Sequence, residues 1–166
     1  MIRFVALIII LFGLLQANVS VAGQLTSEVD SSQPIEITSQ QLEILQLEQK
    51  SVFTGNVVAK QGGMTLAAEQ IIVFFLEEGN QIDRLEAIGN VHFTQLDREA
   101  TADRAVYRQQ EEVLFLVGSA QVKQGLNQIN GDEITLYIKE NKSLVKSSEQ
   151  NRVKAVIVPE QKKDTQ

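Results

Sequence analysis

Apolar and polar residues alternate along this chain, and the alternation is re-established three times around a glycine. Near Gly89, Leu85, Ala87, Val91 and Phe93 share one parity, against Glu86, Asn90, His92 and Thr94. Near Gly118, Leu114, Leu116, Ala120 and Val122 stand against Phe115, Ser119, Gln121 and Lys123. Near Gly55, Phe53, Val57 and Ala59 stand against Val52, Thr54, Asn56, Val58 and Lys60. A period of two with one apolar face predicts half-buried strands. Return arms follow each: Ile71, Val73 and Phe75, then Ala105 and Tyr107, then Ile134, Leu136 and Ile138. Turn residues such as Gln61-Gly62-Gly63 and Gln124-Gly125-Leu126-Asn127 separate the arms.

The glycines mark a repeat whose intervals are 34 and 29 residues. Each Gly is followed at fixed distance by Gln (Gln61, Gln95, Gln124), and later by a small residue and an acid: Ala68-Glu69, Ala102-Asp103, Gly131-Asp132. A unit of this size cannot bury its apolar face alone, so stacking must supply the core. Each Gly sits in the apolar parity itself, which predicts a bend in a long strand or a close backbone approach. At the front, Ile35, Ile37 and Ser39 correspond to Met64, Leu66 and Ala68, so the chain opens with half a unit. At the back, Val153 to Val158 is a β-branched run without the Gly. Between Leu42 and Lys50 the apolar spacing fits neither period, leaving strand and short helix both open. Elsewhere the pattern predicts two layers of about 16 short strands facing each other across the apolar parity.

Composition narrows the function. Met1-Ile2-Arg3, the apolar run Phe4 to Leu15 and Ser20-Val21-Ala22 predict a signal peptide over residues 1–22. A flexible segment 23–33, one β domain over 34–159 and a polar tail 160–166 complete the expected organisation. Acids outnumber bases 21 to 15, which argues against nucleic acid as a partner. There is no Cys and one His, so neither a zinc set nor a nucleophile–base pair can be assembled. Glu69, Asp103 and Asp132 supply one acid per unit, too few for a calcium site, and fit solvated corners instead. No enzyme and no cofactor is expected, and His92 falls on the polar parity.

Four segments, in order and spacing, carry a resemblance. Gln33-Pro34-Ile35-Glu36-Ile37, Phe53-Thr54-Gly55-Asn56-Val57, Ile129-Asn130-Gly131-Asp132-Glu133-Ile134-Thr135 and Arg152-Val153-Lys154-Ala155-Val156-Ile157-Val158-Pro159 resemble the LptA, or OstA-like, family of periplasmic lipopolysaccharide-transport proteins. The resemblance spans Gln33 to Pro159. It implies an all-β fold: an elongated, twisted β-jellyroll (OstA-like), open at both ends and built from repeated strand pairs. It further implies that the apolar interior receives the lipid A acyl chains of lipopolysaccharide. Implied partners are inner-membrane LptC-like and outer-membrane LptD-like jellyrolls, and further copies of the chain joined head to tail. The stretch between Phe75 and Ala87 is short for the family, as is the tail after Pro159.

On that reading the inward groove comprises Phe53, Val57, Ala59, Leu66, Ile71, Val73, Phe75, Leu85, Val91, Phe93, Tyr107, Leu116, Val122, Ile134, Leu136 and Ile138. Read from the residues alone, such a set is core. Burying a methylene is worth about 0.8 kcal/mol. Full engulfment of a multi-chain lipid would exceed the roughly 18–21 kcal/mol at which affinities saturate. A releasing carrier should therefore offer a partial shield. From the residues alone, Ile35, Ile37, Val153, Ala155 and Ile157 belong either to ordinary outer strands capped by charge or to edges kept open for strand addition; the resemblance implies that they are partner-binding edges. Two alternatives stand beside this: a membrane-tethered LptC-like partner of the same pathway, and a structural β-repeat fibre without ligand.

Overall fold

A computed structural model describes residues 33–77, 81–140 and 142–159. The expected leader over 1–22, nearly all of the segment 23–33 and the tail 160–166 lie outside the described residues. The strands are β1 (Glu36–Thr38), β2 (Gln41–Leu45), β3 (Lys50–Gln61), β4 (Met64–Phe75), β5 (Ile82–Gln95), β6 (Arg98–Arg108), β7 (Val113–Gln124), β8 (Asn127–Tyr137), β9 (Lys142–Lys146) and β10 (Lys154–Val156). All pair antiparallel in one sheet, ordered β1-β3-β4-β5-β6-β7-β8-β10, with β2 beside β3 and β9 beside β8. Between β2 and β3, Gln46–Glu48 form a 3-10 turn that ends on Gln49 in the left-handed region. The ambiguous stretch from Leu42 to Lys50 is thus part strand and part helical turn.

The repeated glycines bend the strands. Along β3 and β4, Thr54 faces Gln70 and Val57 faces Ala68, so β3 carries one extra residue at the corner. The same bulge occurs in β5 between Ile88 and Val91 and in β7 between Val117 and Ala120. At each corner two successive residues have positive φ: Gly55 and Asn56 (86° and 46°), Gly89 and Asn90 (79° and 48°), Gly118 and Ser119 (80° and 48°). A bulge kinks its strand and raises the local twist. Each long strand therefore belongs to both layers. One wall is built from residues 50–54, 70–75, 82–88, 104–108, 113–117 and 133–137. The other takes 57–61, 64–68, 91–95, 98–102, 120–124 and 127–131. This corrects the expectation of about 16 short strands: a bent strand of 11 to 14 residues does the work of two.

The corners also explain the recurring acid. A Cβ on Gly89 would come within 2.5 Å of the Glu69 carboxylate, and one on Gly118 would strike Asp103. Gln40 occupies the same place over Gly55. Each return strand thus folds a polar side chain over the glycine of the next bent strand. At the second corner Asn90 Nδ2 donates to Glu69 Oε1 at 2.6 Å. No Gly-bearing strand follows Asp132. It accepts instead from the Ser148 amide at 2.6 Å and from Asn151 Nδ2 at 2.9 Å. Those bonds, the backbone one foremost, hold its carboxyl below the usual carboxylate range.

The recurring Gln has a role as well. Gln61 and Gln95 are buried where strands enter their turns, and Gln61 Nε2 donates to the Gln33 carbonyl at 2.8 Å. The core lies between the walls and is drawn from both: Val57, Ala68, Val91, Ala120 and Val122 from one, Ile71, Ala87, Leu116, Ile134 and Leu136 from the other.

Candidate functional site

The inner faces of the two walls do not close on each other along their whole length. A cavity of about 160 Å³ remains between them toward the β1 end. Val73, Leu85, Ala105, Tyr107, Leu114 and Leu116 line it from one wall, Ala59, Leu66, Val91, Phe93 and Ala100 from the other. Ile35, Ile37, Ile82 and Met64 complete the apolar surface, and Lys60 and Gln61 stand at its margin. An engineered apolar cavity of roughly 150 Å³ stays dry and takes a benzene-sized guest. The space therefore suits a segment of hydrocarbon chain, not several whole chains.

The sixteen inward residues named from the sequence are all buried or half-buried. Eight line the cavity: Ala59, Leu66, Val73, Leu85, Val91, Phe93, Tyr107 and Leu116. The others pack elsewhere in the interior, with Val57 and Ile71 at 0% exposure and Val122, Ile134, Leu136 and Ile138 sealed toward the β8 end. Phe53 and Phe75 are half-buried against the core cluster.

Ile35 and Ile37, expected as edge residues, have two faces to their role. They precede or lie on the outermost strand and also line the cavity. Val153, Ala155 and Ile157 flank or lie on β10 at the opposite edge, all exposed. Parity alone missed Lys60, which points outward by register yet contributes to the mouth, because its aliphatic stem reaches the rim. Ala105, placed on an inward arm by parity but left out of the groove, and Ala100, which parity did not single out, lie opposite Ala87 and Phe93 and line the space, which their lack of volume helps to leave.

The cavity carries little charge. Burial pushes the Tyr107 phenol above its ordinary range, and the Glu112 charge adds to this, so the hydroxyl stays neutral. Charged groups lie outside. Glu86 is flanked on the outer face by Arg104 and by Arg84, whose Nε is 2.9 Å from Glu86 Oε1 but poorly aligned for a hydrogen bond. Arg84 also lies 4.0 Å over the Phe74 ring. A polar hollow beside Arg108 is internally compensated by Glu111. Among the described residues, no three His, Cys, Asp or Glu side chains converge as metal ligands.

Residues 36–142 match the family described as LptA/(LptD N-terminal domain) LPS transport protein. The chain belongs to that family. Lipopolysaccharide export system protein LptA of Escherichia coli strain K12 is 31% identical over 143 residues, covering 81% of this chain and 76% of that protein. The Haemophilus influenzae protein of the same name is 31% identical over 140 residues, covering 80% and 81%. Among solved structures, Pseudomonas aeruginosa LptH superposes with a TM-score of 0.66 at 19% identity, over 79% of this chain and 99% of that one. LptH is described as the LptA-homologous periplasmic component of a conserved lipopolysaccharide transport device. That likeness establishes the shared fold. This LPS-transport family member thus combines an unclosed sheet with an apolar cavity between its walls.

Proposed function

We propose that this protein shields acyl chains of lipopolysaccharide on their way to the outer membrane, as one span of a periplasmic bridge, without catalytic chemistry. The observation that carries the reading is the apolar cavity between two walls of a sheet that never closes. Its size fits partial, reversible shelter, which a carrier needs because full burial of several chains would trap the cargo. Membership of the family and the names of the relatives support lipopolysaccharide as cargo and the periplasm as location. The free edges, β1 with β2 and β9 with β10, are suited to strand addition by LptC-like and LptD-like jellyrolls and by copies of the chain itself.

Photo-crosslinking tests the cavity. A crosslinking residue at Leu66 or Val91 should capture lipopolysaccharide, and one at His92, which faces outward beside Glu99, should not. Equal capture at all three positions would refute the groove. Val57 is too deeply enclosed to report, and Lys60 lies too near the mouth to serve as the negative control. The mature N-terminus separates a released protein from a tethered one: mass spectrometry should find Gly23 first, whereas a retained Met1 supports the LptC-like alternative.

A further inference from the structure

The glutamine that recurs after each bulged corner falls on the inward parity, among residues that are otherwise mostly apolar. Strand register aligns the three copies into one row across the sheet. Gln61 faces Met64, Met64 faces Gln95, Gln95 faces Arg98, Arg98 faces Gln124 and Gln124 faces Asn127. Two residues further in, the same strands give Ala59, Leu66, Phe93, Ala100, Val122 and Ile129, a wholly apolar row. The polar row thus runs beside the apolar one, about 7 Å away along the strands. Gln61 and Met64 line the cavity together with Ala59, Leu66, Phe93 and Ala100, so both rows border one space.

The polar row is short of donors. Gln95 is 1% exposed, and among the described residues neither its Oε1 nor that of Gln124 accepts a hydrogen bond. Gln109, two residues beyond Tyr107 on the inward parity of the facing wall, also has a buried Oε1 without a donor. Other members of the row are partly committed. Gln61 Nε2 donates to the Gln33 carbonyl, and Asn127 Oδ1 accepts from the Val158 amide at 2.8 Å. A buried carbonyl without a donor is destabilising, because it has given up water for nothing. Leu or Met would fill the same volume without that cost. Carbonyls kept open beside an apolar cavity call for a guest that brings the donors.

We propose that Gln95 and Gln124, with Gln109 of the facing wall, are specificity-determining residues for acyl cargo that carries hydroxyl or amide N–H groups near the root of its chains. This rests on the acyl-shelter reading above. An acyl segment lying in the cavity along the strands brings its root to the polar row, where a hydroxyl or N–H donates to an open carbonyl. Ester-linked diacyl phospholipids have only acceptors at that point and leave the carbonyls unpaired. Such a site discriminates more steeply than an apolar pocket, since the wrong guest leaves buried polar groups unsatisfied. Met64, between Gln61 and Gln95 in the row, is unbranched and adapts its packing to admit the donor.

Binding of tetradecanoic acid and of its β-hydroxy derivative to the purified full chain, followed by calorimetry, tests this. The two probes share chain and carboxylate and differ in one hydroxyl. The parent should bind the hydroxylated acid at least about threefold more tightly. Gln124→Leu and Gln95→Met should each lower that ratio toward unity, while affinity for the plain acid and melting stay as in the parent. Gln121→Leu, on the outer parity of the same strand as Gln124, should keep the ratio. Gln124 is only half-buried, so its variant reports even where Gln95→Met disturbs folding. Equal binding of the two acids by the parent, a ratio that both row variants leave unchanged, or one lost equally in Gln121→Leu overturns the proposal and leaves the cavity reading standing. If neither acid binds, both fall.

Discussion

Two regions of the interior differ in how completely they are filled. Toward β1 the inward residues Ala59, Leu66, Leu85 and Phe93 are only half-buried and surround a cavity. Toward β8, Ala120, Ile134, Leu136 and Ile138 are buried, and Val145 of β9 packs against Gly131, where a Cβ would come within 2.6 Å of it. Both regions have the same alternation and the same bulged corners. What separates them is how closely the side chains of the two walls meet. An apolar parity therefore fixes which face is dry, while the filling of that face is decided locally.

Substitutions at matched positions expose the contrast, beginning with the largest effect. Ile134→Ala in the packed region should cost about 3–4 kcal/mol, because surrounding groups cannot collapse into the vacancy. Leu66→Ala, beside space that already exists, should cost about 1–2 kcal/mol. Urea unfolding measures both, and equal losses would erase the distinction. Enlargement should show the same contrast. Ala120→Leu overpacks a site 1% exposed and should cost about 1–3 kcal/mol, whereas Ala105→Leu can grow into the cavity at under about 1 kcal/mol. The Ala105 variant should also reduce lipopolysaccharide capture at Leu66.

Smaller effects come from turns and edges. Leu96 holds a φ of 53° in the β5–β6 turn, where Gly62 and Gly125 occupy the corresponding turns of the other pairs. Leu96 is largely exposed, so Leu96→Gly loses little burial and should stabilise by up to about 1 kcal/mol. Asp132 belongs to the packed end. Its lowered carboxyl pKa means its stabilising bonds are fully present above the unfolded value of about 3.9 and are lost as pH falls through the lower folded value. Protection of the Ser148 amide against hydrogen exchange, taken relative to its intrinsic rate at each pH, should fall in the parent once pH drops below the ordinary carboxylate range, and in Asp132→Asn it should be weaker and independent of pH.

Much of this was legible beforehand. Gly55, Gly89 and Gly118, placed inside an apolar parity, announced bends, and the in-register acids announced corners. Both edges could be named because Ile35 to Ser39 is a return arm without a partner and Val153 to Val158 lacks the glycine. Depth along the stack was not legible. Nothing in the alternation tells Leu66, at a cavity, from Ile134, in a sealed interior, since both occupy the same parity and differ only in what crosses above them. The strand number was overestimated for a related reason: a bulge and a turn both interrupt a pattern, and only the hydrogen-bond ladder tells them apart.

Because each bent strand and its return occupy two places in the ladder, length is counted in strands. Eight successive places at about 4.8 Å make the described molecule roughly 34 Å from first to last strand, and one more unit would add about 10 Å. Distance can then be adjusted by whole units with the cross-section unchanged, so the protein behaves as a ruler whose graduations are its glycines.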